Sequence, residues 1–168
     1  MRRHGAPGPA TLHPDLAPLG FLLGRWAGEG EGGYPTVEDF GYGEEITVSH
    51  VGKPFLAYAQ RTWSLDDGRP LHAETGYWRC PGPGRVELVV AHPTGVVEVS
   101  EGECTGTAMV LASTTVARTA SAKEVDALVR RIEVTGDRLV YELDMAAVGV
   151  PLTFHLRGVL RRVSGPPA

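Results

Sequence analysis

Ten short segments of alternating polar and apolar character follow one another from Trp26 almost to the C-terminal end of this chain, and the gaps between them are mostly turn signals. They fall near 26–33, 43–50, 55–63, 71–79, 85–91, 96–101, 108–116, 129–135, 138–145 and 152–162. Val51-Gly52-Lys53-Pro54, Asp66-Asp67-Gly68-Arg69, Pro81-Gly82-Pro83-Gly84, His92-Pro93-Thr94-Gly95 and Thr135-Gly136-Asp137 are each short enough to close an antiparallel hairpin. Leu139, Tyr141, Leu143 and Met145 alternate with Val140, Glu142 and Asp144, which describes a strand with one buried face. A meander of this length must protect its edges, and closing the sheet on itself removes them. A two-sheet sandwich needs long crossing connections, and these turns are too short for many of those. The expected fold is therefore all-β: a ten-stranded antiparallel β-barrel like that of lipocalins and fatty-acid-binding proteins. Its interior should be wide enough for a ligand cavity.

Four stretches stand outside the meander. Residues 1–12 have little to bury and read as a flexible arm; residues 13–163 form the barrel domain, and 164–168 a short tail. Pro14 suits the first position of a short N-terminal helix whose Leu16, Leu19, Phe21, Leu22 and Leu23 would cap the core. Ser121, with Glu124 three residues on, reads as the start of a second short helix over 121–128.

Composition narrows the function. A net charge of -4 offers no basic field for nucleic acid. No apolar run approaches the roughly 20 residues of a spanning helix, and no secretory leader follows Met1, so the expectation is a cytoplasmic protein with no membrane partner. Cys80 and Cys104 are the two cysteines, and they read as ordinary thiols.

Several residues invite a chemical reading. Gly24, Trp26, Gly28 and Gly30 form Gly-x-Trp-x-Gly-x-Gly at the start of the first strand. A Trp there can plug one end of a barrel while the glycines permit close backbone approach; no strand precedes it to make a phosphate cradle. His50, His72 and His92 lie on or beside different strands with no helical ligand spacing, which does not favour a zinc site. Glu44-Glu45 would point to opposite faces and Asp66-Asp67 sits in a turn, so both pairs read as solvated charge.

Taken with Tyr34-Pro35-Thr36, His50-Val51-Gly52-Lys53-Pro54-Phe55, His72-Ala73-Glu74-Thr75-Gly76-Tyr77 and Pro151-Leu152-Thr153-Phe154-His155-Leu156, the motif makes the chain from about residue 15 to 163 resemble the nitrobindin family. The resemblance implies a ten-stranded barrel holding one haem b in a solvent-open cavity, with His155 on the last strand as the iron ligand and Thr36 and Lys123 near the haem. It also implies isomerisation of peroxynitrite to nitrate at ferric iron, and nitric oxide binding by the ferrous form. The alternative function for such a cavity is a lipocalin-like carrier of a small apolar ligand without metal chemistry.

The last strand poses a parity problem. Leu152, Phe154, Leu156 and Leu160 share one parity, and Thr153, His155, Arg157 and Val159 share the other. If His155 faces the cavity, an outward leucine stripe is expected, to be covered by the N-terminal segment or by a second copy in a homodimer. Lys123, one of only two lysines, would reach a haem propionate from the connection before the eighth strand.

Overall fold

The computed structural model describes residue 8 and residues 10–164, so most of the expected arm and the tail beyond Ser164 lie outside the described residues. The ten strands are β1 (Gly24–Tyr34), β2 (Val37–Ser49), β3 (Leu56–Ser64), β4 (Pro70–Arg79), β5 (Arg85–His92), β6 (Val96–Thr105), β7 (Ala108–Arg118), β8 (Val125–Thr135), β9 (Arg138–Ala147) and β10 (Val150–Ser164). Each pairs antiparallel with its sequence neighbour, and β1 pairs with β10 to close the barrel. Closure follows from the turns: every hairpin joins adjacent strands, so the two ends of the meander are the only edges left to join. Among the described residues no helix is long and apolar enough to cross a membrane.

A 3-10 helix over Pro14–Leu22 forms the floor, where Leu16, Leu19 and Leu22 are buried. Trp26 is fully buried against it and donates from Nε1 to the Leu22 carbonyl at 2.9 Å. Arg162 lies over the Trp26 ring, 4.0 Å from its centroid, and donates to the carbonyls of Leu23 and Phe21. The glycine motif serves this closure. A Cβ on Gly28 would lie 2.1 Å from the Val159 carbonyl oxygen, and one on Gly30 would enter the Tyr42 ring. Only glycine lets β1 approach β10 and Tyr42 this closely.

The inward-facing residues change character along the barrel axis. On β4 they run Trp78, Glu74, His72; on β5 they run Val86, Leu88, Val90, His92. The interior is thus an apolar floor, a buried polar belt in the middle and a mixed, open mouth.

Two expectations are corrected. Residues 121–128 are not helical: 119–124 is a turn, with Ala122 N–H donating to the Thr119 carbonyl, and β8 begins at Val125. Pairing of Val125 and Ala127 with β9 and a bond from Val148 N–H to the Glu124 carbonyl recruit the segment into the sheet, overriding the local cap signal. Second, the outward stripe on β10 is shorter than its parity implied. A register shift between Phe154 and Leu156 switches the inward face, so Leu152 and Phe154 are outside at 47% and 44% exposure while Leu156 and Leu160 are inside. Half of the expected stripe, Leu152 and Phe154, thus remains on the outer surface.

Candidate functional site

The mouth opens into a cavity of about 1010 Å³, at the upper end of the roughly 300–1,000 Å³ typical of small-molecule sites. Leu128, Leu143, Met145 and Leu156 form apolar wall, and Arg69 and Lys123 are the Arg and Lys side chains on the lining. His155 enters because β10 bulges at its position, the same device that turns Leu156 inward. The β1–β10 ladder runs as far as the pair Gly32 and Leu156, and the next carbonyl along β1, that of Gly33, accepts from His155 Nδ1 at 3.1 Å. Tyr34 meets the imidazole edge-to-face at 5.4 Å, with its own hydroxyl fixed by the Ala147 N–H at 2.9 Å.

A carbonyl can only accept, so Nδ1 carries the proton and Nε2 keeps its lone pair. Burial holds His155 below the usual imidazole range, with the Gly33 bond opposing, so the neutral ring predominates near pH 7. This is the donor chemistry an axial haem ligand requires, with the carbonyl acting as the outer partner that fixes the tautomer. Neither that carbonyl nor the bulge leaves a signal in the sequence. The carbonyl is set by the register between strands more than a hundred residues apart, and the bulge by how β10 pairs with β9, which alternation along one strand does not show.

Beneath the cavity lies the polar belt. Glu98 is fully buried and receives Arg130 Nε at 2.9 Å and His92 Nε2 at 3.2 Å. Burial alone would push the Glu98 carboxyl up, but Arg130 and the His92 N–H bring it down to about 2. His92 Nδ1 faces His72 Nε2 at 3.2 Å, and Glu74 Oε1 stands 3.9 Å from His72 and 3.8 Å from His92. Sequence spacing argued against grouping these histidines, yet the β4–β5 pairing brings them together on one wall. In the ring of ten strands β5 stands five places from β10, so His92 faces His155 across the barrel.

The belt also holds Glu44, fully buried, with Gln60 Nε2 donating to Oε1 and the Tyr141 hydroxyl to Oε2, both at 2.8 Å. The solvated reading of Glu44-Glu45 is thus wrong for Glu44: the strand does split the pair, Glu45 meeting Arg25 and Arg61 outside, but the other carboxyl goes into the core.

The remaining candidate positions fall as follows. Lys123 lies on the cavity lining, exposed at its rim. Thr36 is exposed at the tip of the β1–β2 hairpin, next to Val37, which lines the mouth. Gly24, Trp26, Gly28 and Gly30 are away from the cavity lining. His50 is on the floor side, its Nδ1 accepting from Gly52 N–H at 3.3 Å. Cys80 and Cys104 are free thiols.

Comparison with known proteins agrees with this fold. A family model described as the THAP4-like, heme-binding β-barrel domain matches residues 15–162. "Peroxynitrite isomerase 1" of Mycolicibacterium paratuberculosis is 55% identical over 158 residues, covering 92% of this chain and 98% of that protein. "Peroxynitrite isomerase" of Nocardia farcinica is 53% identical over 156 residues, covering 90% and 93% respectively. Among solved structures, that of Rv2717c from M. tuberculosis superposes with a TM-score of 0.86 at 48% identity, over 92% of this chain and all of that one.

Proposed function

The chain belongs to the family of THAP4-like, heme-binding β-barrel domains, and from that membership we propose that it holds one haem b through His155 and isomerises peroxynitrite to nitrate, its ferrous form binding nitric oxide. The observation that carries the reading is the His155 imidazole, tautomer fixed by the Gly33 carbonyl, on the wall of a cavity of about 1010 Å³. When bound, the haem supplies a ferric iron able to act as a Lewis acid toward a peroxynitrite oxygen. The names borne by relatives sharing more than half of their residues with this chain support the same substrate.

The chain's own residues have simpler tasks. His155 presents the Nε2 lone pair and keeps its orientation through Gly33 and Tyr34. Leu143, Met145 and Leu156 exclude water from the inner wall. Lys123 and Arg69 at the rim would pair with carboxylates on a flat ligand, and Thr36 would offer a hydroxyl beside the mouth. A carrier of an apolar ligand fits less well, because Glu74, His72 and His92 share the lining and an apolar guest would desolvate them without return.

His155→Ala tests the proposal. Loss of the Soret band, faster haem loss and partial rescue by added imidazole are expected, with a circular dichroism melt close to that of the parent chain. A spectrum unchanged in the variant, or a colourless parent protein that retains fatty acid after purification with haem supplied, would overturn it.

A further inference from the structure

We propose that His72, His92 and Glu74 form a second metal site, one that takes a borderline divalent ion such as zinc on the cavity wall formed by β4 and β5. The proposal needs no haem: its ligands stand on β4 and β5, while His155 stands on β10 in the opposite wall of the same cavity.

Three observations carry it. The first is spacing. His72 Nε2 and His92 Nδ1 are 3.2 Å apart, and two imidazole nitrogens at about 2.0–2.1 Å from one tetrahedral zinc lie about 3.3 Å from each other. Glu74 Oε1, at 3.9 and 3.8 Å from the two nitrogens, completes the set with a shift of roughly half an ångström. Two histidines and a carboxylate with one open position are the donor set of catalytic zinc sites; here the fourth position faces the cavity, where water or an oxyanion would bind.

The second is orientation. His92 points its other nitrogen at Glu98, 3.2 Å away, and Glu98 is itself held by Arg130 at 2.9 Å. A carboxylate behind a ligand histidine fixes the tautomer that leaves the inner nitrogen bare, which is how metal-binding imidazoles are usually supported. Without metal, the pair needs a proton between its facing nitrogens. With metal, His72 moves its proton to Nδ1 and the ion takes that place, so the exchange requires no other reactant.

The third is charge. Glu74 and Glu98 are 6% and 0% exposed, and Arg130, 8% exposed, is the one Lys or Arg among the described residues bonded to both. Two buried carboxyl groups thus share a single guanidinium, and a cation between the two histidines would give Glu74 a second partner. Arg130 does not close the site: its contact with Glu74 Oε1 is long, 3.3 Å, and Tyr58 bonds to the other oxygen.

Calorimetric titration of the full-length chain as purified, after chelator treatment, should show one zinc per chain. His72→Ala and His92→Ala should each weaken it at least about tenfold, and Glu98→Gln by about 10- to 100-fold, the usual cost of losing an outer-sphere partner. His155→Ala should leave it unchanged. Cobalt(II) in the unmutated chain should give the intense visible bands of four-coordination, a readout free of any folding defect in a variant. No zinc uptake, weak octahedral-type cobalt bands, or uptake that follows His155 and not His72 and His92 would each overturn the proposal.

Discussion

A carboxyl buried as deeply as Glu44 makes the protein's stability depend on its proton. Burial pushes the carboxyl from the ordinary 4.5 up to about 7, and the bonds from Gln60 and Tyr141 only partly offset this. Below about pH 4.5 the folded and unfolded chains both hold the proton and nothing is lost. As pH rises toward about 7 the unfolded chain releases it first, so stability falls through this window, reaching a cost of order 3 kcal/mol at higher pH. Glu44→Gln removes the titration and keeps the shape; Gln60, whose Oε1 has no partner, can turn its amide to receive the new N–H. Urea melts at about pH 5 and about pH 8 should show the parent chain losing stability and the variant nearly level, with a gain of about 1–3 kcal/mol at the higher pH. Equal slopes for the two proteins would show that Glu44 is ionised throughout. Alternation in the sequence separates Glu44 from Glu45, but which of two acids faces inward depends on partners 16 and 97 residues away. The same limit hides the Gly33 carbonyl and the contact of His72 with His92.

At the level of elements, the seam between β1 and β10 is where local sequence and closure meet. Gly28 pairs with Leu160, and a methyl added to it would strike main chain, which cannot swing aside as a side chain would. Gly28→Ala should therefore cost about 1–3 kcal/mol, as overpacking usually does, which for a chain of this size is a fall of about 2–4 °C in Tm per kcal/mol. Gly82→Ala, with nothing within 4 Å of the added carbon, should leave Tm unchanged. A calorimetric scan in which both variants melt alike would refute this account of the seam. The strands and their turns were legible because hairpins are local. The bulge in β10 was not, although it lies within the β9–β10 hairpin: Phe154 and Leu156 oppose the consecutive Asp144 and Leu143, and no residue type in either strand marks where the pairing skips. The turn at 119–124 was misread because a cap signal is local, and the bonds that outweigh it come from Gly95 and Val148.

For the molecule as a whole, stability and ligand chemistry occupy opposite ends of one barrel. The floor is a closed apolar cluster in which Trp26 bonds to Leu22 and stacks under Arg162, whereas the mouth puts Lys123 and Arg69 at the rim of an open cavity. Perturbing either end should therefore move one property and spare the other. Trp26→Ala empties a large buried volume and should cost about 3–5 kcal/mol, while the molecules that remain folded keep their affinity for haem. Lys123→Ala removes an exposed cation with few packing partners, so Tm should stay put. If its ammonium pairs with a ligand carboxylate as proposed, it does so across solvent, so haem transfer to a competing apoprotein should speed up a few-fold at low salt, and the difference should shrink near 1 M salt, where the screening length is about 3 Å. If Lys123→Ala changes Tm but not transfer, or if the effect on transfer is independent of salt, the lysine is not pairing with the ligand and the division between floor and mouth is drawn in the wrong place.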